Sequence, residues 1–483
     1  SVIGTSTGYA ITDVGTGNYW FVAYLRSQGA YGYGTFNFGQ NGTFCGQKTA
    51  QGNSDGSGIG NFYYSVPSGY KALCTKNLPT PTIKKSTDHF NTILYTGNDT
   101  EDRAITGVGF APDLVWIKSR STTYYHQLHD KVRGTSGGAL YSNVTNAEAP
   151  TRSLASFDSD GFTVMKDADN DAQNDTGETY VAWNWRAGGA TPSQTYVVKV
   201  VSDSGNKYRF DDFGASTQTI DLQEGGTYTF DQSDSSNSGH PFRFSTTSNG
   251  SHGGGSEYTT GVTTYGTPGN SGAYTRITVA ASAATLYYYC TAHSGMGGQA
   301  NTNSDFGSSN FAGSIKSIAS VNTTNKFSIV SYTGSQNNAT VGHGLGTAPK
   351  LIWVKNTDAT DNWKVYFGDN TDYISFNSTG GTTDDATSWQ DTSPTSSVFS
   401  LGVDTNINRS GDEFVAYCFA EVDGFSKFAT YEGNNNANGP FIHTGFTPAW
   451  VVFKYLDNGD ESWWIVDNKR DPLNPNTLNL FAN

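Results

Sequence analysis

Residues 109–118, GFAPDLVWIK, recur as GTAPKLIWVK at 346–355 and as GFTPAWVVFK at 445–454. Each copy is a proline turn followed by a short apolar run that ends in lysine. An apolar run of this length, bounded by turn residues, predicts a β-strand that is buried on both faces. The recurrence of the stretch at three places predicts a chain built from copies of one unit.

The repeated unit has a defined beginning and end. A Tyr-x-Gly precedes each copy of the stretch, at 95–97, 332–334 and 431–433. The first unit closes with YVAW at 180–183 and the second with FVAY at 414–417. We therefore assign a repeat domain to 88–189, copy 1, and another to 326–424, copy 2, each of a usual domain size.

The third unit, copy 3, occupies 427–483 and contains no closing stretch of this kind. Half of a β-domain would expose unpaired strand edges and a bare apolar face. We therefore expect copy 3 to be incomplete. We also expect the natural chain to continue past Asn483 and to begin before Ser1.

The composition favours strands and turns over helices. The 483 residues include 57 Gly, and 14% of the chain is aromatic, mostly Tyr and Phe. These residue types are enriched in strands and turns. No long stretch has apolar residues at helical spacing. The predicted fold class is all-β, a multidomain string of β-sandwiches.

Charge and hydropathy argue against two classes of partner. The formal net charge is -14, and the 29 Lys and Arg residues are scattered. A protein that binds nucleic acid needs clustered basic residues to neutralise phosphates, so we expect no nucleic-acid partner. No run of about 18 apolar residues occurs, so we expect no membrane span.

The first segment, 1–83, alternates aromatic and small residues and ends in a proline-rich exit. Its phrases FNFGQ at 36–40, PSGYKAL at 67–73 and NLPTP at 77–81 resemble the C-terminal end of the SPRY-like, concanavalin-type sandwich of marine and cyanobacterial phage structural proteins. The copies that follow resemble the β-rich domain of unknown function that accompanies it there. The resemblance implies a virion component, such as a tail-fibre or capsid-appendage protein, on the virion surface and hence extracellular.

Residues 192–300 differ in character from the copies. They contain strand-like runs, then His240, and later the run Leu286–Met296, LYYYCTAHSGM, which places Cys290, His293 and Met296 at three-residue spacing. Two imidazoles and one thiolate, with a weak axial thioether, form a blue-copper site. This segment resembles a cupredoxin, a Greek-key sandwich whose Cys, His and Met ligands share one late loop. The resemblance implies copper at these four residues, although such a sandwich can also persist as a scaffold with an empty site.

Three further stretches carry weaker signals. Asp167, Asp169, Asp171 and Glu178 have the ligand spacing of a calcium loop, but Ala172 replaces the usual glycine and Asx-rich turns are common for backbone reasons. His126 and His129 lie near each other without a third ligand in the sequence, which favours packing over metal binding. Residues 301–325 are rich in Asn, Ser and Gly and predict a linker.

The sequence contains no phosphate-binding glycine loop with Lys and no His-Glu-x-x-His. We therefore expect a non-enzymatic virion structural protein that forms homo-oligomers, contacts other virion proteins, and binds a host cell-surface glycan or protein by multivalent contacts. A purely architectural capsid or tail decoration protein is one alternative. An extracellular copper protein for electron transfer is another.

Overall fold

The computed structural model describes residues 38–483 except 45, 78–80, 137, 149–153, 167–172, 189–191, 304–306, 437–438, 458 and 474. The chain divides into two compact units, Ser1–Pro81 and Thr82–Asn483. The described residues are nearly all strand, turn and loop, which confirms the all-β, multi-sandwich prediction. None of the helices in the described part is long and apolar enough to cross a membrane.

In the first unit, the predicted SPRY-like segment lies largely outside the described residues. The described part contains a short antiparallel bridge between Asn53 and Phe62 and the 3-10 helix Thr75–Asn77. The carboxylate of Asp55 accepts hydrogen bonds from the backbone N–H groups of Ala72 and Ile59, which hold the Asp55 pKa at about 2. This buried carboxylate organises the loops around it. Of the two cysteines in this unit, Cys74 is exposed and Cys45 is outside the described residues.

Copy 1 is a sandwich of two sheets. The larger sheet has the order β1-β8-β3-β4-β5 and the smaller the order β2-β7-β6, and the 3-10 helix Ser86–Asp88 precedes them. Isoleucine, valine and aromatic side chains between the two sheets form a core of their own. The strands are β1 (Phe90–Thr96), β2 (Arg103–Thr106), β3 (Leu114–Ser119), β4 (Gln127–Asp130), β5 (Leu140–Tyr141), β6 (Leu154–Asp158), β7 (Gly161–Val164) and β8 (Thr179–Trp185).

The inserted module follows and is a sandwich of two five-stranded sheets, β10-β9-β12-β16-β15 and β11-β18-β17-β13-β14. Aromatic rings from both sheets fill the space between them. Two short 3-10 helices, Ser235–Asn237 and Gly250–Gly253, connect its strands. The strands are β9 (Ser193–Ser202), β10 (Asn206–Phe210), β11 (Ile220–Gln223), β12 (Thr227–Asp231), β13 (Phe242–Ser245), β14 (Glu257–Tyr258), β15 (Val262–Tyr265), β16 (Tyr274–Thr278), β17 (Leu286–Cys290) and β18 (Gly298–Asn303).

Copy 2 repeats the plan of copy 1 with an eight-stranded sheet, β19-β20-β21-β28-β23-β24-β25-β26, covered by the pair β22-β27. Two single-turn helices, α1 (Ala386–Trp389) and α2 (Thr405–Asn408), pack beside it. The strands are β19 (Ser308–Asn310), β20 (Ser317–Asn322), β21 (Phe327–Thr333), β22 (Ala339–Gly342), β23 (Leu351–Asn356), β24 (Lys364–Tyr366), β25 (Asp372–Ser375), β26 (Thr383–Asp384), β27 (Val398–Leu401) and β28 (Glu413–Phe419).

The stretch 301–325 is therefore not the linker that its composition predicted, because β19 and β20 extend the sheet of copy 2. Its small polar side chains are buried with hydrogen-bond partners, which removes the cost of burying them. Ser317 Oγ donates to the Gly342 carbonyl over 2.8 Å, and Asn325 Nδ2 donates to the Arg186 carbonyl over 2.8 Å. Composition alone does not distinguish such a strand from a solvated connector.

Copy 3 contributes a single three-stranded sheet of β29 (Trp450–Phe453), β30 (Trp464–Asp467) and β31 (Leu480–Phe481), in that order. The central strands β3 and β23 are buried almost throughout, as the repeated stretch predicted. The prediction is wrong for β29, which is only partly buried. In the described part of copy 3, no second sheet covers β29 and no closing strand lies beside it.

The three copies pack against each other through one aromatic cluster, the shared core. In copies 1 and 2 it takes side chains from the face of the large sheet that points away from the small sheet, and in copy 3 from one face of the single sheet. Trp116 of copy 1 lies with its ring centroid 5.9 Å from that of Trp353 in copy 2 and 6.4 Å from that of Trp450 in copy 3. The fully or nearly buried tryptophans of this core are Trp116, Trp183, Trp185, Trp353, Trp363 and Trp463.

Candidate metal centre

The inserted module brings three of the four predicted copper ligands to one end of one sheet. Strand β13 pairs antiparallel with β17 so that Phe242 lies opposite Cys290. His240 lies two residues before β13, and Cys290 is the last residue of β17. The turn after β17 then carries His293. The register of two adjacent strands therefore places both imidazoles beside the thiol.

The ligand atoms have the spacing that a metal ion requires. Cys290 Sγ lies 3.8 Å from His240 Nδ1 and 3.7 Å from His293 Nδ1. One possible ligand atom from each of the three residues lies within 4.8 Å of the other two. With bonds of about 2.3 Å to sulfur and about 2.0 Å to nitrogen, a trigonal site separates these atoms by about 3.7 Å. The side chains are thus already arranged around one central point.

Burial differs sharply among the predicted ligands. Cys290 is fully buried, His240 is 9% exposed, and His293 is exposed. Met296 is 1% exposed and belongs to the same apolar core as Cys290. A metal ion bound between these side chains would be shielded from water on the Cys290 side and close to solvent on the His293 side.

Hydrogen bonds hold His240 in place. Its backbone carbonyl accepts from the Tyr208 hydroxyl and from Gln232 Nε2, each over 2.9 Å. The side-chain amide of Asn206 lies 3.5 Å from His240 Nε2, the ring nitrogen that faces away from Cys290. Contacts of this kind fix the orientation of a metal-binding imidazole and leave the other nitrogen free to coordinate.

The loop that carries His293 and Met296 is equally constrained. Asn249 accepts from the Gly295 N–H over 2.8 Å and donates to Ser294 Oγ over 2.8 Å. Tyr208 N–H donates to the Met296 carbonyl over 3.0 Å. A Cβ at Gly297 would lie 1.7 Å from the Tyr288 carbonyl oxygen, so the chain can return to the sheet here only with glycine.

Electrostatics favour a neutral imidazole at His240. Burial, and then the charge of nearby His293, lowers the pKa of His240. A metal binds the neutral form, so the environment removes the proton that would compete with it. Burial also raises the pKa of Tyr208 well above its ordinary value, and nearby Cys290 acts in the same direction. The Tyr208 hydroxyl therefore stays a hydrogen-bond donor at neutral pH.

The calcium prediction is not addressed by the structure, because Asp167, Asp169 and Asp171 lie outside the described residues. Glu178 is half-buried just before β8. In copy 2, Asp404 caps α2 by accepting a hydrogen bond from the Asn406 N–H, and its carboxylate also lies 3.1 Å from Lys364 Nζ. The Asp404 carboxylate in that turn of copy 2 therefore already has hydrogen-bond and ion-pair partners within the protein.

His126 and His129 are both buried in copy 1, as packing residues are. His126 Nδ1 accepts a hydrogen bond of 2.9 Å from Trp116 Nε1. Burial lowers the pKa of each imidazole to about 3. Across the described ranges, His240, Cys290 and His293 are the one group of three or more His, Cys, Asp or Glu side chains close enough to hold a metal ion.

Sequence reasoning indicated the three residues that the structure brings together, His240, Cys290 and His293, but not the residues that position them. Asn206, Tyr208 and Gln232 come from strands or loops far from the ligand loop in sequence. Aromatic and amide residues at such positions are common in any β-sandwich. No local pattern marks them.

Comparison with known proteins identifies a family and no function. A family described as a domain of unknown function, DUF7483, matches residues 85–207 and 300–483. The unmatched interval, 208–299, is most of the inserted module. No curated protein matches the chain, and no solved structure matches it. Since the family covers well over half of the sequence, the chain belongs to the DUF7483 family.

Proposed function

We propose that the inserted module is a mononuclear copper centre with His240, Cys290 and His293 as its strong ligands. The observation that carries this proposal is the pair of distances from Cys290 Sγ to the two Nδ1 atoms, which match those of a trigonal metal site, together with the proximity of all three side chains. Met296, buried in the same apolar core as Cys290, would supply a thioether as the fourth, weak ligand of such a site.

The donor set favours copper over zinc. Structural zinc sites use four strong ligands in a tetrahedron. Two imidazoles and one thiolate with a weak thioether instead suit copper. Bound copper would supply one-electron transfer. The chain's own residues would exclude water from Cys290 and present His293 to the solvent, on the side where a redox partner could approach.

Adding Cu(II) to the protein tests the proposal. One equivalent per chain is expected to produce the intense visible absorption of a thiolate-to-copper transition. The same titration of the His252→Gln variant is the control, because the His252 ring contacts the Cys290 carbonyl but lies outside the ligand triangle. Absence of the band in the unaltered protein, at any metal concentration, would contradict a copper–thiolate site.

We propose further that the chain as a whole is a non-catalytic structural protein of a phage virion surface. The resemblance of its phrases at 36–40, 67–73 and 77–81 to phage structural proteins supports this, as do the copies joined through a shared core into one large body. Loops rich in Tyr, Asn, Ser and Gly suit adaptable contacts with a host glycan or protein. Many copies of such a body per particle would turn weak contacts into firm adhesion.

Immunogold labelling of purified particles tests this second proposal. Antibodies raised against the protein are expected to decorate an appendage or the capsid surface of the phage that encodes it. Excess free protein is expected to slow adsorption of that phage to its host. Labelling confined to the soluble lysate, with bare particles, would overturn the assignment.

A further inference from the structure

An apolar groove of about 1750 Å³ lies beside β29 of copy 3. Its walls come from all three copies. Its lining includes the aromatic and aliphatic side chains of Phe90, Trp185, Phe367, Phe428, Trp450 and Val452. Exposed apolar surface of this extent marks a binding site more often than a bare surface.

One edge of β29 is open towards this groove. In copies 1 and 2 the equivalent strands have a partner on both sides. Strand β3 lies between β8, the closing strand of copy 1, and β4. Strand β23 lies between β28, the closing strand of copy 2, and β24. Strand β29 pairs with β30 on one side, and within the described part of the chain no strand pairs with its other side. Unpaired N–H and C=O groups on such an edge are ready to pair with an added strand.

Contacts between the copies follow a cyclic order. Trp363 of copy 2 donates its indole N–H to the Tyr141 carbonyl of copy 1 over 2.8 Å. Trp463 of copy 3, at the matching register position, donates to the Ser375 carbonyl of copy 2 over 3.0 Å. The two acceptors also match, since Tyr141 and Ser375 each lie on the third strand from the repeated stretch. Each copy therefore meets the next in the same way.

The closing strands, β8 and β28, contact the neighbouring copies in the same cyclic order. Tyr417 in β28 of copy 2 donates to Asp130 of copy 1 over 2.7 Å, and Trp183 in β8 of copy 1 donates to Asp467 of copy 3 over 3.1 Å. Asp130 and Asp467 are equivalent, because each pairs with the first apolar position of its own repeated stretch. A closing strand on copy 3 would complete the cycle by reaching copy 2.

Copy 2 has a different residue at the position equivalent to the acceptors Asp130 and Asp467. By the register of β23 with β24, the position that holds Asp in copies 1 and 3 holds Phe367 in copy 2. Phe367 packs against the shared core and lines the groove. An apolar or aromatic side chain, rather than a hydrogen-bond donor, is therefore the group that would fit there.

We propose that the groove binds an extended peptide segment of the closing-strand type, aromatic-Val-Ala-aromatic, antiparallel to β29. Trp116 lies opposite Trp183, and Trp353 lies opposite Tyr417. The same register places the second aromatic of the segment opposite Val452, facing Phe367. Val452 is smaller than the tryptophans at the equivalent positions, which leaves space for that ring.

The conformation of residues 428–431 fits the same interpretation. In copies 1 and 2 the strand that contains the Tyr of Tyr-x-Gly pairs with the closing strand: β1 pairs with β8, and β21 pairs with β28. In copy 3 the corresponding residues, 428–431, contain the same tyrosine but have no strand structure. Their natural partner in the sheet is the segment that the groove would bind. Binding should therefore order them as a further strand.

A synthetic peptide with the sequence of residues 179–185, TYVAWNW, flanked by lysines for solubility, tests the proposal with the 483-residue chain. With free peptide at about ten times its Kd, amide exchange at 450–453 is expected to slow about tenfold, following the factor 1 + [L]/Kd. Exchange at 428–431 should slow with it. The Phe367→Ala variant should bind the peptide more weakly, and Phe441→Ala, which removes an exposed ring, should bind it normally.

A peptide with proline in place of its alanine is the control, because proline removes an N–H and cannot pair within a sheet. Equal slowing by this peptide would overturn the proposal, as would slowing at other strands only. A concentration-dependent dimer that protects 450–453 without added peptide would also overturn it, since the occupant would then be a second copy of the chain.

Discussion

Replacing Trp116 with alanine is expected to destabilise all three copies together, by about 3–5 kcal/mol. The Trp116 ring lies against Trp183, Trp353 and Trp450, one from each copy. Its removal leaves a cavity where the copies meet and takes away the hydrogen-bond donor to His126. Amide exchange should accelerate in β3, β23 and β30 alike, and the midpoint of denaturant unfolding should fall.

The matched control is Phe441→Ala, which removes a large aromatic side chain that is 78% exposed. Surface changes of this kind usually alter the free energy of unfolding by less than about 0.5 kcal/mol. If Trp116→Ala accelerated exchange in copy 1 alone, the copies would be independent units and the shared core would not couple them.

Replacing Cys290 with serine is expected to abolish the visible copper band completely. The band arises from charge transfer between a thiolate and copper, and a serine hydroxyl is neither a thiolate nor a soft ligand. The fold should survive, because serine is nearly the same size and its hydroxyl can hydrogen-bond to the neighbouring His240 Nδ1, 3.8 Å from the present sulfur. Absorption after Cu(II) addition and far-UV circular dichroism measure the two effects separately.

Cys418→Ser is the matched control, since Cys418 is also fully buried in a strand but belongs to no cluster of metal-binding side chains in the described part of the chain. This variant should keep the full band. A band that persists in Cys290→Ser, or one that disappears in Cys418→Ser, would place the copper elsewhere.

Local patterns predicted the individual elements well. The repeated stretch identified β3 and β23 as doubly buried strands, because a strand covered on both faces must be apolar at every position. Three of the candidate ligands could also be predicted from a local pattern, because Cys290, His293 and Met296 lie within seven residues of one another. His240 lies 50 residues before Cys290 and was indicated by the resemblance to a cupredoxin.

Contacts between distant segments could not be predicted. The hydrogen bond from Trp183 to Asp467 spans 284 residues and leaves no periodic signal. Asp467 and Arg470 are both buried and paired at 2.5 Å, although no local pattern in the sequence distinguishes them from exposed charged residues. The error at 301–325 has the same origin, because burial of Ser317 and Asn325 depends on carbonyl groups supplied by other parts of the fold.

The cyclic meeting of the copies has a consequence for how this sequence can vary. In an assembly of three identical subunits, one codon change alters the central junction three times over. Here each junction is encoded separately, so one can lose its acid while its counterparts keep theirs. The equivalent position is an example of such independent variation, because it holds Asp130 in copy 1 and Asp467 in copy 3 but Phe367 in copy 2. Symmetry in this molecule is a property of the backbone, from which the side chains of each copy can depart independently.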